Sequence, residues 1–326
     1  MRRLVGIVQS VTPARLLTLA GVYFGFGLSI LFRRSIVLTG PSFLTVEPVC
    51  GCNLQCPECP VGSNELVRPK GQISMDIVDL VIESFGRRAI WVNLYFQGEP
   101  LLHPQFPEIV ARFSAAGLFT SVSTNGLLLT SPMVDKLMVA GIKEIIFSVD
   151  GSSESEYLVY RKGGSFQKAI ENIQLVVAKR KAFGGLFPRI VYQSLITSAN
   201  EDSLKNIRRF AISLGVDAVE LKTINLHHGE DIHNLLPSKS KFSRYGKIGK
   251  RRNRYSCLRL WSNAVISIEG RLALCCMDKE VNQLGETNSQ SLSTAWNSNT
   301  LNRIRAHDAV GRNLPVLCNS CSLQHG

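Results

Sequence analysis

Between residues 43 and 224, short apolar runs alternate with longer amphipathic ones, and no other feature of the chain restricts its fold as strongly. Apolar runs of five to eight residues read as strands and longer runs with 3.6-residue periodicity read as helices, so the alternation describes βα units that build a parallel sheet. Strands are predicted at 43–49, 89–96, 119–123, 144–149, 189–196 and 218–223. Helices are predicted at 75–85, 106–116, 132–140, 166–181 and 202–214, with Ser131 as N-cap and Pro132 in the first position of the third. Gly117 and Gly141 follow two of these helices, where a left-handed cap is needed. At 326 residues the chain has room for about two domains, or one barrel with an appendage.

The loops that leave the strands decide the chemistry. The first strand leads into a loop in which Cys52, Cys56 and Cys59 form C-x3-C-x2-C, the second into Gln97-Gly98-Glu99-Pro100, the third into Thr124-Asn125-Gly126 and the fourth into Asp150-Gly151. In a barrel of parallel strands these ends share one face, which is where such folds build active sites. A closed structural metal site takes four protein ligands, whereas three local thiolates leave one coordination position open for something that reacts. Cys50 breaks the spacing if taken as first ligand and is read as a bystander. A zinc knuckle or buried free thiols remain the alternatives on spacing alone.

The cysteine loop after an apolar strand resembles that of the radical S-adenosylmethionine (SAM) superfamily, and this resemblance implies a partial (β/α)6, TIM-like barrel. It implies a catalytic [4Fe-4S] cluster on Cys52, Cys56 and Cys59, with SAM on the fourth iron and a 5′-deoxyadenosyl radical as the reactive species. By the same resemblance Gly98 and Glu99 receive the SAM amino group, Ser123, Thr124 and Asn125 contact ribose and carboxylate, and Ser148 and Arg161 hold the carboxylate. Leu195 or Ile196 on the fifth strand would face adenine. Two positions depart from the family pattern: Gln97 replaces a glycine, and Glu58 stands where an aromatic residue usually precedes the third cysteine.

The other cysteines are Cys257, Cys275, Cys276, Cys318 and Cys321. An apolar run at 264–268, the turn Glu269-Gly270 and a second apolar run at 272–274 predict a hairpin that returns Cys275 toward Cys257. Cys318 and Cys321 supply a C-x2-C pair, so four ligands from distant parts of the chain would close one site. The pattern resembles the shorter, Twitch form of the SPASM extension of radical SAM enzymes, which implies an auxiliary [4Fe-4S] cluster on Cys257, Cys275, Cys318 and Cys321; spacing leaves zinc as the alternative. Residues 293–306 are expected to form a helix that packs this unit on the barrel. The expected organisation is an apolar helical segment at 1–42, the barrel at 43–224, a basic linker at 225–256 and the cluster unit at 257–326.

Nine cysteines in tight groups argue for metal ligation in a reducing compartment, and a cytoplasmic location is expected. Residues 16–32 are uncharged, lie between Arg15 and Arg33-Arg34, and are short for a bilayer span, so they read as a helix packed on the protein or lying at a membrane interface. Gly21, Gly25 and Ser29 would give that helix a small-residue face for another helix. The net charge is +12, and residues 239–254 hold eight basic residues with no acidic one. Such a strip is either solvated linker or a dock for an anionic partner: phospholipid, RNA or acidic peptide. Expected partners are a reductant such as flavodoxin or ferredoxin, an unknown substrate (peptide or small molecule, with RNA or lipid as rivals) and a membrane surface meeting residues 16–32 and the strip. A zinc-stabilised binding module is the alternative of a different class. Gln193, Glu220, Lys222, Asn225 and Asp278 are polar candidates near the site mouth, with Glu220 and Lys222 spaced to pair with each other.

Overall fold

The computed structural model describes all residues except 226–233, 244–255, 283, 285–290, 320 and 322–326. Strands β1 (Phe43–Val46), β2 (Trp91–Asn93), β3 (Phe119–Thr124), β4 (Glu144–Ser148), β5 (Arg189–Ile196) and β6 (Ala218–Thr223) pair parallel in chain order. Apolar residues such as Leu44, Val92, Val122, Ile145 and Ile190 are fully buried along them, as expected of strands whose faces are both covered. Two helices, α1 (Arg2–Gln9) and α2 (Pro13–Phe32), precede the sheet. The crossovers are α3 (Met75–Val81), α4 (Phe106–Ala115), α5 (Ser131–Val139), α6 (Glu154–Tyr160), α7 (Phe166–Ala182) and α8 (Leu204–Ser213).

The predicted hairpin forms as β7 (Asn263–Ile266) and β8 (Leu272–Ala273), with Gly270 at φ +75° in the turn. It is not a separate layer, because β7 pairs parallel with β1 and extends the sheet to eight strands in the order β8-β7-β1-β2-β3-β4-β5-β6. Four short helices or turns complete this region: α9 (Arg259–Ser262), α10 (Leu292–Trp296), α11 (Asn299–Val310) and α12 (Val316–Asn319).

Local chemistry explains where elements depart from expectation. β1 stops at Val46 ahead of Pro48, which has no N–H for a ladder, and Val49–Cys50 pairs instead with Gly71–Gln72. Thr130, not Ser131, caps α5 by accepting from the Met133 N–H at 3.4 Å, which moves Pro132 one place inward where its missing donor is still harmless. The last turn of the helix predicted at 75–85 widens into a π turn over Ile82–Gly86. The helix expected at 293–306 is divided in two because Ser298 caps a new start at Asn299. Helix α6 was not anticipated; its signal was Ser153-Glu154-Ser155-Glu156, in which Ser153 accepts from the Glu156 N–H at 3.3 Å. The small-residue face of α2 meets an extended strand of chain rather than a helix: Gly21 lies against Thr39 and Gly25 against the Ile36 carbonyl.

Helix α1 closes the end of the sheet where strands begin. Arg2 pairs with Asp217 ahead of β6, Arg3 with Glu144 at the start of β4, and a Cβ on Gly6 would meet the Phe119 ring at 2.5 Å. Arg15, buried at the start of α2, donates to the carbonyls of Ser10, Gly86, Ala116 and Gly117, where α1, the π turn and α4 end. A guanidinium with five donors suits several helix C-termini at once, since their last carbonyls lack partners and carry partial negative charge. Farther along α2, Phe26 packs edge-on to Trp261 of α9 at 5.1 Å, and Trp261 Nε1 donates to the Ile36 carbonyl at 3.2 Å.

Arg15→Ala is expected to lower unfolding free energy by about 2–4 kcal/mol, because four carbonyls lose a charged donor at a buried site. Chemical denaturation checks this, and Arg15→Lys, with fewer donors, should fall between the two.

Candidate active site

The cysteine loop is shaped by two glycines that tolerate no side chain. A Cβ on Gly62 would lie 2.6 Å from the Cys56 backbone nitrogen, and one on Gly98, at φ +64°, would lie 2.4 Å from the Gly51 carbonyl oxygen. The Gly98 loop therefore rests directly on the cysteine loop, and the Glu99 N–H donates to the Gly51 carbonyl at 2.8 Å. Gln97 takes an ordinary negative φ, so its departure from the glycine of the family pattern brings no backbone strain. On the other side, the Gln55 N–H donates to the Lys162 carbonyl at 2.9 Å and ties the loop to the chain leaving α6.

Three carboxylates fix the strand ends around this loop. Glu99, 2% exposed, accepts from the Leu101 N–H and Thr124 Oγ1 through Oε1 and from the Asn125 N–H through Oε2. Burial raises its pKa and these donors oppose that; Oε2, with one bond, retains acceptor capacity. Asp150, 1% exposed, accepts from Arg161 Nε and from the Leu195 N–H, both at 2.6 Å, and so joins β4, the end of α6 and β5. Burial disfavours the Arg161 cation, but Asp150 outweighs that and holds the guanidinium protonated. Glu47 is wholly buried at the end of β1, where Arg68 Nη2 reaches its two oxygens at 2.7 and 2.9 Å. The same guanidinium donates to Glu269 in the β7–β8 turn at 3.2 Å and to the Lys279 carbonyl at 2.9 Å.

One cavity of about 220 Å³ is lined by Cys52, Cys56 and Cys59 together with Gly98, Glu99, Ser123, Thr124, Asn125, Ser148, Arg161 and Leu195. All eight residues anticipated for SAM and all three cysteines of the loop thus meet at one place. Leu195 lines it rather than Ile196, because successive strand residues point to opposite faces. Ser123 Oγ and Ser148 Oγ lie 3.2 Å apart across β3 and β4. Sequence reasoning missed Leu54, Tyr95, Phe96 and Tyr160 on the same walls. Tyr95-Phe96 ahead of Gln97-Gly98, and Tyr160 ahead of Arg161, were the available signals. They also answer the absence of an aromatic residue at position 58, since three rings line the cavity from elsewhere while Glu58 is buried.

The donor set fits an iron–sulfur cluster. The three thiols are free, and burial pushes Cys52 and Cys56 up to about 11, so without added positive charge both stay protonated at neutral pH. Iron would supply that charge; the Leu54 N–H at 3.4 Å from Cys52 Sγ and the Arg161 cation near Cys56 assist ionisation. Cys50 is no part of this set: it is buried outside the cavity with Arg68 Nη2 at 3.6 Å from its sulfur. In the second group, Cys257 lies within electrostatic range of Cys321, and Cys275 within range of both Cys257 and Cys318. Cys276 instead accepts from Arg259 Nη1 at 3.2 Å. Among the described residues no three Cys, His, Asp or Glu side chains close around a single metal ion.

The polar candidates divide. Lys222 pairs with Glu220 at 3.1 Å, and Asp278 accepts from the Leu274 N–H at 2.9 Å, so both have structural occupations. Burial lowers the Lys279 pKa to about 8, and the neighbouring Cys59, Glu58 and Cys276 oppose this. Most of the basic strip, 244–254, lies outside the described residues; within them, Lys239 pairs with Asp202.

Comparison with known proteins agrees with this arrangement. The sequence profile of the radical SAM superfamily matches residues 46–220, over half of the chain, and that of SPASM, an iron–sulfur cluster-binding domain, matches residues 257–322. The chain belongs to the radical SAM superfamily and carries a SPASM domain, so its cofactors are SAM and [4Fe-4S] clusters. It is 27% identical over 60% of its length to the tungsten-containing aldehyde ferredoxin oxidoreductase cofactor-modifying protein of Pyrococcus furiosus, covering 54% of that protein. It is 31% identical over 42% of its length to the AdoMet-dependent heme synthase of Methanosarcina barkeri, covering 39%. To the PqqA peptide cyclase of Granulibacter bethesdensis it is 26% identical over 60% of its length, covering 54%. The chain therefore spans about half or less of these relatives. Streptococcus suis SuiB bound to the precursor peptide SuiA superposes with TM-score 0.65 at 13% identity over 92% of this chain and 73% of SuiB, which shows the shared fold.

Arg68→Met is expected to cost about 3–5 kcal/mol by stranding Glu47, 0% exposed, without a counter-charge. Thermal unfolding of Arg68→Met, Glu47→Gln and the double variant checks this: the double variant should be more stable than Arg68→Met alone.

Proposed function

We propose that the chain cleaves SAM reductively at a [4Fe-4S] cluster on Cys52, Cys56 and Cys59 and directs the resulting 5′-deoxyadenosyl radical to the oxidation or modification of a peptide or small molecule. The observation that carries this reading is the cavity that collects the three cysteines with eight SAM-binding candidates from successive strand ends. The cluster, when bound, supplies the electron that opens the sulfonium C–S bond and the iron that chelates SAM. Everything else falls to the side chains. Arg161, held by Asp150, receives the SAM carboxylate, for which a planar guanidinium is suited. Glu99 Oε2 accepts from the amino group, and Ser123, Thr124, Asn125 and Ser148 offer hydrogen-bonding groups to ribose and carboxylate. Leu195 with Tyr95, Phe96 and Tyr160 supplies apolar surface for adenine and excludes water from the radical.

Cys257, Cys275, Cys318 and Cys321 would hold an auxiliary [4Fe-4S] cluster, which would supply one-electron transfer for the substrate or the catalytic site. Names of relatives point to peptides and to small molecules: a peptide cyclase, a cofactor-modifying protein and a heme synthase. Reductant is drawn from a one-electron donor such as flavodoxin or ferredoxin.

Anaerobic reconstitution tests the reading. About eight irons and eight sulfides per chain are expected, with 5′-deoxyadenosine formed from SAM under dithionite. Cys56→Ala should retain only the auxiliary cluster and form no 5′-deoxyadenosine, while Arg161→Ala should weaken SAM binding roughly 10- to 100-fold by titration. A colourless, zinc-loaded chain that leaves SAM intact would overturn it.

A further inference from the structure

Helix α2 uses one face to hold the protein together and leaves the other uncovered. Its buried residues are Arg15, Thr18, Val22, Gly25 and Ser29, one face at three- and four-residue spacing. Opposite them run two heptad-spaced rows of large apolar side chains: Leu17, Phe24 and Leu31, 72%, 64% and 71% exposed, and Leu16, Tyr23 and Ile30 beside them. Ala20 and Gly27 lie between the rows and are also exposed, and a shallow groove is lined by Leu17, Ala20, Gly21, Tyr23 and Phe24. Phe32, at the end of the helix, is exposed as well. A contiguous apolar surface of this extent on a folded chain calls for an occupant.

Charge selects the occupant. The first acidic residue of the sequence is Glu47, so the 46 residues that build α1, α2 and the return to β1 carry Arg2, Arg3, Arg15, Arg33 and Arg34 with no carboxylate. Arg33 and Arg34 are exposed at the end of α2, next to Phe32. A second copy docked through the same helix would bring this segment's arginines together without a carboxylate of its own to answer them. Arg2 and Arg3 are engaged by acidic residues and Arg15 by backbone carbonyls within the protein, which leaves Arg33 and Arg34 exposed beside the apolar rows; an anionic lipid surface answers that pair directly and accepts the rows below its headgroups. A full span does not fit, although α2 is, among the described residues, the one helix long and apolar enough for it. Its inner face is fastened through Arg15 to four backbone carbonyls and through Phe26 to Trp261, contacts that extraction into a bilayer core would break.

We propose that the exposed face of α2, with Arg33 and Arg34 at its end, docks the enzyme in the plane of an anionic phospholipid surface. This inference is independent of the substrate and of the cluster assignments. The test is flotation of the full, cluster-reconstituted chain with vesicles of phosphatidylcholine and phosphatidylglycerol at a 7:3 ratio, against phosphatidylcholine alone. Wild type should float with the anionic vesicles. Phe24→Ser/Leu31→Ser should weaken partitioning roughly 100-fold through lost apolar burial, and Arg33→Gln/Arg34→Gln roughly 10- to 30-fold on anionic vesicles only. Both variants should keep the wild-type thermal midpoint and 5′-deoxyadenosine yield, since these side chains face solvent. Failure of wild type to float, or flotation unchanged in Phe24→Ser/Leu31→Ser, would overturn the proposal. So would a concentration-dependent dimer in lipid-free sedimentation that the same variant abolishes, which would assign the face to a second copy.

Discussion

A carboxylate buried at the end of a strand must find its counter-charge inside the protein, and much of this molecule is arranged around how Glu47 does so. Isolated, it would lose its charge or its place, since moving an ion out of water costs several kcal/mol even after relaxation. Arg68 meets it with two short hydrogen bonds, and the twenty residues between them are the loop that holds Cys52, Cys56 and Cys59. The pair therefore pins that loop at both ends. Because the same guanidinium reaches Glu269 and the Lys279 carbonyl, and the Ile268 N–H reaches Glu47, it also fixes the hairpin after Cys257 relative to the loop. The spacing of the two cysteine groups is thus set by one buried ion pair and by the ladder between β1 and β7.

The same solution recurs at neighbouring strand ends. Glu99 accepts from donors of its own loop and the next, and Asp150 ties Arg161 to the fifth strand. Such carboxylates do two things at once: they replace missing ladder bonds where strands end, and they orient the groups that line the cavity. Binding geometry then depends on backbone registers rather than on free rotamers, which suits the radical chemistry proposed for the site.

Much of this was legible in the sequence, for a physical reason. Strand and helix periodicity are local, and so are the loops at Cys52, Gly98, Asn125 and Asp150; chain-order pairing of parallel strands then places those loops on one face with no long-range information. What was not legible is non-local. Nothing near Asn263 announces that β7 will lie parallel to β1, and the plug formed by α1 depends on Arg2 and Arg3 meeting Asp217 and Glu144, more than a hundred residues away. The aromatic walls were hidden differently: Tyr95 and Phe96 read as the end of a strand, but the strand stops at Asn93 and both line the cavity from the chain beyond it. The short helix α6 carried a capping box but too few residues for periodicity to register.

The two ends of the sheet have consequently been given different work. Where strands end, buried acids position thiols and a cofactor cavity; where they begin, arginines from α1 and α2 seal the sheet. Arg15 fastens the start of α2 to this second end and Phe26 ties the helix on to Trp261 of α9, so one face of α2 is committed to the protein along its length while Leu17, Phe24 and Leu31 are left outward.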